Sequence, residues 1–144
     1  MTDENTMVAV DSLVANEFFV ELDGEKLLGV FRVNGLTSFK INGGKREFEP
    51  FQLVKMVQRD GNNPFNRWLR ETVRTVGSDR PRRELAVVAV DDGLETRRWV
   101  VKGAWISEVR YFSFDSASSE MVEESVTIHY DGLEEIWSAT PDLD

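Results

Sequence analysis

Six consecutive residues, Leu85-Ala86-Val87-Val88-Ala89-Val90, carry no polar side chain. Successive side chains on a strand point to opposite faces. A strand built from this run is therefore apolar on both faces, as a central strand buried on both sides is. It lies within Arg83–Asp91, and the chain around it alternates at strand period. Glu17–Leu22 sets Phe18, Val20 and Leu22 against Glu17, Phe19 and Glu21. Asp23-Gly24 is a hairpin-turn signal, and Lys26–Asn34 reads as the return strand, Leu27, Phe31 and Val33 opposing Lys26, Arg32 and Asn34. Residues 37–50 keep little period and read as a loop or short extended hairpin. Phe51–Arg59 is a third strand, ended by Asp60-Gly61-Asn62. After the Asp92-Gly93 turn come Glu95–Lys102 and Ala104–Phe112, parted by a kink at Gly103. Met121–Asp131 follows the Ser/Ala-rich loop 113–119.

One helix interrupts the strands. Asn63 suits an N-cap and Pro64 the first helical position. Phe65, Trp68, Leu69, Val73 and Val76 recur at helical spacing and predict a core-facing side, with Arg67, Arg70, Glu71 and Arg74 opposite. Gly77 supplies a left-handed stop. Seven strands and one helix in this order predict a mainly β protein: two packed antiparallel sheets, sandwich- or barrel-like, with one flanking α-helix. Residues 1–15 read as a flexible arm, 16–137 as the domain and 138–144 as a tail.

The 144 residues suffice for one hydrophobic core, and 41% apolar with 30% charged residues is a globular balance. No apolar run approaches the ~20 residues needed to cross a bilayer, and the acidic start Met1-Thr2-Asp3-Glu4-Asn5 lacks the basic and apolar regions of a secretion signal. These features predict cytoplasmic synthesis and no membrane partner. Without cysteine, disulfide and thiolate chemistry are excluded. The net charge of −9 is unevenly spread. Residues 55–110 hold twelve bases against eight acids, whereas residues 111–144 hold nine acids and no base. Either the charges are simply solvated, or a chain basic in its middle and acidic at its ends is complementary to copies of itself, joined head to tail. Net acidity argues against gripping nucleic acid, whose affinity comes largely from neutralised phosphates.

Chemistry is hard to place. His129 is the only histidine and has no cysteine or second histidine to complete a metal site. Glu123-Glu124 and Asp91-Asp92 could suggest cation ligands or an acid/base pair, but neighbours on a strand face opposite ways. There is no glycine-rich phosphate loop and no nucleophile elbow. The expectation is no enzyme, no cofactor and no metal. Trp68 and at least one of Trp99 and Trp105 serve packing on this reading, with Trp99 assigned to the core. Arg80, Arg82 and Arg83 around Pro81 offer either a contact to an acidic neighbour or a solvated corner.

The ordered set of segments resembles a known family. Phe18 to Leu36, Leu53-Val54-Lys55-Met56-Val57-Gln58-Arg59-Asp60-Gly61, Phe65-Asn66-Arg67-Trp68-Leu69, Arg97 to Trp105 and Glu124 to Leu133 occur in the order found in the tail tube proteins of contractile phages and injection systems. The resemblance covers roughly residues 17 to 137. It implies a structural subunit of an inner tube: hexameric rings, strands joining neighbours into a ring-wide barrel, and rings stacked into a conduit for protein or DNA cargo. Sheath and baseplate proteins of the same particle are the implied partners. Asn42, Gly43, Gly44, Lys45 and Arg46 would reach a neighbouring subunit, with Arg80, Arg82 and Arg83 as further contacts.

A wall strand needs one apolar and one hydrated face. Met121–Asp131 meets that need, with Glu123, Ser125, Thr127 and His129 expected toward the lumen and Val122, Val126, Ile128 and Tyr130 toward protein. Glu124 interrupts the apolar face, and an arginine is its expected partner. A tube initiator at the baseplate shares the fold implied. A β-sandwich binding module acting as monomer or dimer, and an enzyme with a small β-barrel site, are the readings from other classes.

Overall fold

The computed structural model describes Leu13, residues 17–75, Gly77 and residues 79–137. The arm and tail expected at the two ends, and Val76, fall outside those residues apart from Leu13. Among these described residues, ten strands and one helix follow in order: β1 Phe18–Leu22, β2 Glu25–Lys26, β3 Val30–Asn34, β4 Lys40–Asn42, β5 Lys45–Glu47, β6 Phe51–Met56, α1 Pro64–Arg74, β7 Arg83–Asp91, β8 Leu94–Tyr111, β9 Glu123–His129 and β10 Gly132–Ile136. Every strand pair is antiparallel.

The large sheet runs β2-β1-β7-β8-β9-β6-β3, with β10 also on β8, while β4 and β5 form a separate hairpin. Strand β8 belongs to two layers. Its first half pairs with β7 on one edge and β10 on the other; its second half pairs with β9. A single apolar cluster joins the layers, bringing Val20, Leu22, Leu85, Val87 and Val101 together with Phe51, Leu53, Val126 and Ile128. The two halves thus pack as expected, as one sheet folded over rather than a closed barrel.

Gly103 allows the change of layer. The sequence reads it as a break between two strands, but β8 continues through it with a φ of +66°. A Cβ there would lie 2.3 Å from Asp131 Oδ1. Arg82 fixes the corner by donating to Gly103 O at 2.9 Å and Asp131 Oδ2 at 3.2 Å.

Strand β7 has the expected bounds and is buried from Leu85 through Ala89. Its two faces are covered by different means. Leu85 and Val87 enter the common core. On the opposite face Val88 lies beside Phe19 and Arg98 in the strand register. Arg98 makes a forked pair with Glu95 and a third bond to Glu21 at 2.5 Å. Those hydrogen bonds, first to Glu95 and then to Glu21, hold the guanidinium pKa above its ordinary value. An ion-paired side chain, with its aliphatic stem beneath, replaces a second apolar layer here.

Other elements depart from the pattern reading. The expected return strand Lys26–Asn34 is two strands: β2 pairs with β1, and β3 crosses to β6. A register shift between Val30 and Arg32 leaves Phe31 exposed despite its apolar position. Residues 37–50 contain the β4–β5 hairpin, and the Tyr130 hydroxyl donates to Thr37 O beside it. Burial raises the Tyr130 pKa, partly offset by that bond.

Helix α1 starts as read, Asn63 accepting from Asn66 N–H at 2.8 Å with Pro64 next. It ends at Arg74, capped by extended Thr75, so Gly77 lies beyond the end. Phe65 and Trp68 are fully buried, and Trp68 Nε1 donates to Pro81 O at 3.0 Å. Val73, expected in the core, is 76% exposed. Steps of four residues drift by ~40° on a helix of 3.6 residues per turn. Positions 65, 69 and 73 therefore walk off the packed face, leaving Leu69 at its margin. Trp99 is half-buried and packs against the core from its rim.

Candidate subunit interface

The β9 strand divides two environments. Its burial alternates residue by residue, with Glu124, Val126 and Ile128 buried and Glu123, Ser125, Thr127 and His129 half-exposed. Register carries this division across the layer. Gln52, Thr127 and Glu108 stand side by side, as do Ser125 and Arg110, and Trp105 and His129. Arg32 and Asn34 of β3 extend the same face. The face is hydrated and mixed in sign, Glu108 pairing loosely with Arg110 at 3.7 Å. His129 stacks flat on Trp105, with centroids 4.5 Å apart. Among the described residues no group of three histidine, cysteine or acidic side chains could hold a metal ion.

Glu124 points inward and meets a lysine, not the expected arginine. Lys55 Nζ lies 2.8 Å from Glu124 Oε2, with the two side chains 0% and 2% exposed. The ammonium also donates to Met56 O at 2.8 Å and sits 4.6 Å from the Phe65 ring centre. Lys55 and Glu124 are direct cross-strand partners, so the pair can form only in this β6–β9 register. Sequence reasoning missed Lys55 because nothing in Phe51–Arg59 marks its cation as inward-facing.

The expected contact residues divide into two groups. Asn42, Gly43, Gly44, Lys45 and Arg46 form the exposed tip of β4–β5, outside the large sheet. Arg80, Arg82 and Arg83 are largely engaged within the chain. Arg80 donates to Gly77 O, Arg82 holds the Gly103 corner, and Arg83 meets Glu71 and Asp23. On α1, Arg67 and Arg74 are exposed and meet no carboxylate among the described residues. Spacing of i and i+7 on an exposed helix face was the signal available for them.

Strand edges complete the surface. Among the described residues, the outer edges of β2, β3 and β10 have no strand partner. Nor does the second half of β8 on its side away from β9. Unpaired edges are templates for another chain. A layer dry on one face, hydrated on the other and open at its margins has the anatomy of a wall-forming structural protein.

Comparison with known proteins gives that anatomy a family. The chain belongs to the T4-like virus tail tube protein gp19 family, whose model matches residues 14–134. It is a structural tail tube protein, a component of a phage-tail-like particle. Among solved structures it is similar to a chain of the sheath-tube complex of an extracellular contractile injection system, PVC, in the extended state. That match has a TM-score of 0.70 at 16% identity and covers 95% of this chain and 99% of the other. It is also similar to a chain of the anti-feeding prophage cap, described as a tube terminating cap (TM-score 0.74, 19% identity, 90% and 95% covered). Hcp1 from Flavobacterium johnsoniae shares the fold more distantly (TM-score 0.54, 12% identity, 83% and 94% covered). No curated protein matches the chain.

Proposed function

We propose that this chain is the inner tube subunit of a contractile tail or injection system, forming hexameric rings that stack into a hollow conduit. The observation that carries the reading is the two-sided β9 layer. Its inward side chains close the subunit core, while Glu123, Ser125, Thr127 and His129 present a hydrated face with neighbouring Gln52, Glu108 and Arg110. A closed multi-stranded barrel abolishes its edges and encloses an aqueous channel. Joining the open edges of neighbouring copies would turn this face toward such a channel. Mixed charge suits a conduit, since cargo protein or DNA of either sign meets no strongly attractive wall. Sheath and baseplate proteins are the proposed outer partners, and the β4–β5 tip a proposed subunit contact.

A terminal role on the same tube is the second reading, favoured by the likeness to a tube-terminating cap. Light scattering on the purified chain, with negative-stain microscopy, separates these readings. Six-fold rings that grow into tubes of open length support the shaft subunit. Rings that stay single support the terminal role, and a monomer at all concentrations overturns both.

A further inference from the structure

Two surface features are only partly satisfied within the chain. The first is the loop between β8 and β9. Its base is pinned by Phe112 N–H to Glu123 O at 3.0 Å, and its tip by Ala117 N–H to Asp115 Oδ1 at 3.0 Å. Loop and base present Phe112, Phe114 and Met121 at 53%, 78% and 76% exposure. Asp115 and Glu120 flank them without a cationic partner among the described residues. This is an ordered apolar knob with an acidic rim.

The second is a cleft of about 470 Å³ between α1 and the β1–β2 turn, where Arg67, Arg70, Arg74 and Arg83 outnumber the acidic Asp23, Glu25 and Glu71. Arg83 is already met by Glu71 and Asp23, and Arg70 donates to Gly61 O at 2.9 Å, which leaves Arg67 and Arg74 without a partner among the described residues. Arg67, Arg70 and Arg74 fall within about 60° of one another on the helix. Like charges at this spacing repel mildly, so an anionic occupant would relieve the face as well as gain contacts. Aromatic rings also pack favourably beneath guanidinium groups.

Knob and cleft lie on different flanks of α1. Tyr111, from which the loop springs, lines a groove with Leu69, Thr72 and Val73. The cleft uses Arg67, Arg70, Glu71 and Arg74, on the other side of the helix. One chain therefore displays both surfaces in separate directions, the arrangement of a heterologous contact that propagates to a ring or filament.

We infer that the Phe112–Met121 knob of one copy docks into the arginine cleft of the next, a contact between copies that rests on the tube-subunit reading. Arg67→Glu with Arg74→Glu reverses the cleft, and Asp115→Lys with Glu120→Lys reverses the rim. Each double variant should stay folded by circular dichroism but associate at least about a hundredfold more weakly, because like charges are then juxtaposed. An equal mixture should regain assembly in strict alternation, since each variant's knob then opposes the other's cleft. Phe114→Ser should weaken assembly without affecting this charge rescue. Assembly of the cleft variant alone at wild-type concentration would overturn the contact while leaving the tube reading intact. So would a mixture that fails to assemble although both variants are folded. A wild-type chain that never associates would overturn the tube reading and this contact together.

Discussion

Removing the Lys55 amine while keeping its bulk, as Lys55→Met, leaves Glu124 as a carboxylate with 2% exposure and no cation beside it. Breaking a buried pair from one side costs ~3–5 kcal/mol, because the remaining charge loses its partner and regains little water. Glu124→Leu strands the ammonium in the same way, although Met56 O still accepts from it. Replacing both, as Lys55→Met with Glu124→Leu, removes both desolvation penalties. Such double replacements range from neutral to ~1–4 kcal/mol stabilising. The singles should therefore be severe and the double close to wild type or better. Urea unfolding, below the concentration at which the chain associates, reads this directly. With a slope of ~2 kcal/mol per M, each single should lower the midpoint by about 1.5–2.5 M at constant slope. Single losses under ~1 kcal/mol would mean that water reaches the pair. A double variant as unstable as the sum of the singles would show that the two charges are not energetically coupled. The double should also reveal whether the pair serves register: a folded chain that assembles poorly would indicate slippage between β6 and β9.

Three further outcomes follow from packing and backbone. Gly103→Ala should destabilise by more than the ~1–2 kcal/mol of a left-handed alanine, because the added methyl meets Asp131; a thermal melt within 1 °C of wild type would refute the corner. Trp68→Ala should cost ~3–5 kcal/mol, while Val73→Ala should stay within ~0.5 kcal/mol; denaturant midpoints of equal size would restore the sequence-based helix face. Val126→Asp should abolish soluble folded protein by burying an unpaired charge, whereas Thr127→Asp should fold normally; the reverse pattern in soluble yield would put β9 in the opposite register.

What could be read from sequence was the part decided by neighbours along the chain. The apolar run at Leu85–Val90, the Asp23-Gly24 and Asp92-Gly93 turns and the Asn63-Pro64 helix start are local physics, and each has its expected place. The core face of α1 is read one turn too far because Val73 continues an apolar spacing that has already rotated away from the sheet. Strand β8 was divided at Gly103 because a glycine within a strand marks a break as readily as a crossing. Strand β10, Gly132–Ile136, was missed because Glu134 and Glu135 obscure its alternation. The candidate surfaces were legible only in outline. The outward set of β9 follows from period two, but the partner of Glu124 and the internal ties of Arg82 and Arg83 depend on residues brought together by folding.

The register of the large sheet has a consequence in time. Phe18 lies opposite Ala89 and Phe51 opposite Ile128, so β1 and β6 each wait for a partner about half the chain away. Among the long strands, the β7–β8 hairpin, closed by Asp92-Gly93, forms its ladder from neighbouring residues. At ~5–20 residues per second of synthesis, β6 spends roughly 4–15 s without the strand that covers it. Non-local pairing of this kind also folds slowly once the chain is complete. The same β9 that closes the β6 edge leads directly into β10, so the sheet gains these two strands together. A copy that still lacks β9 consequently has no finished sheet to offer another, and association through it must wait for that strand.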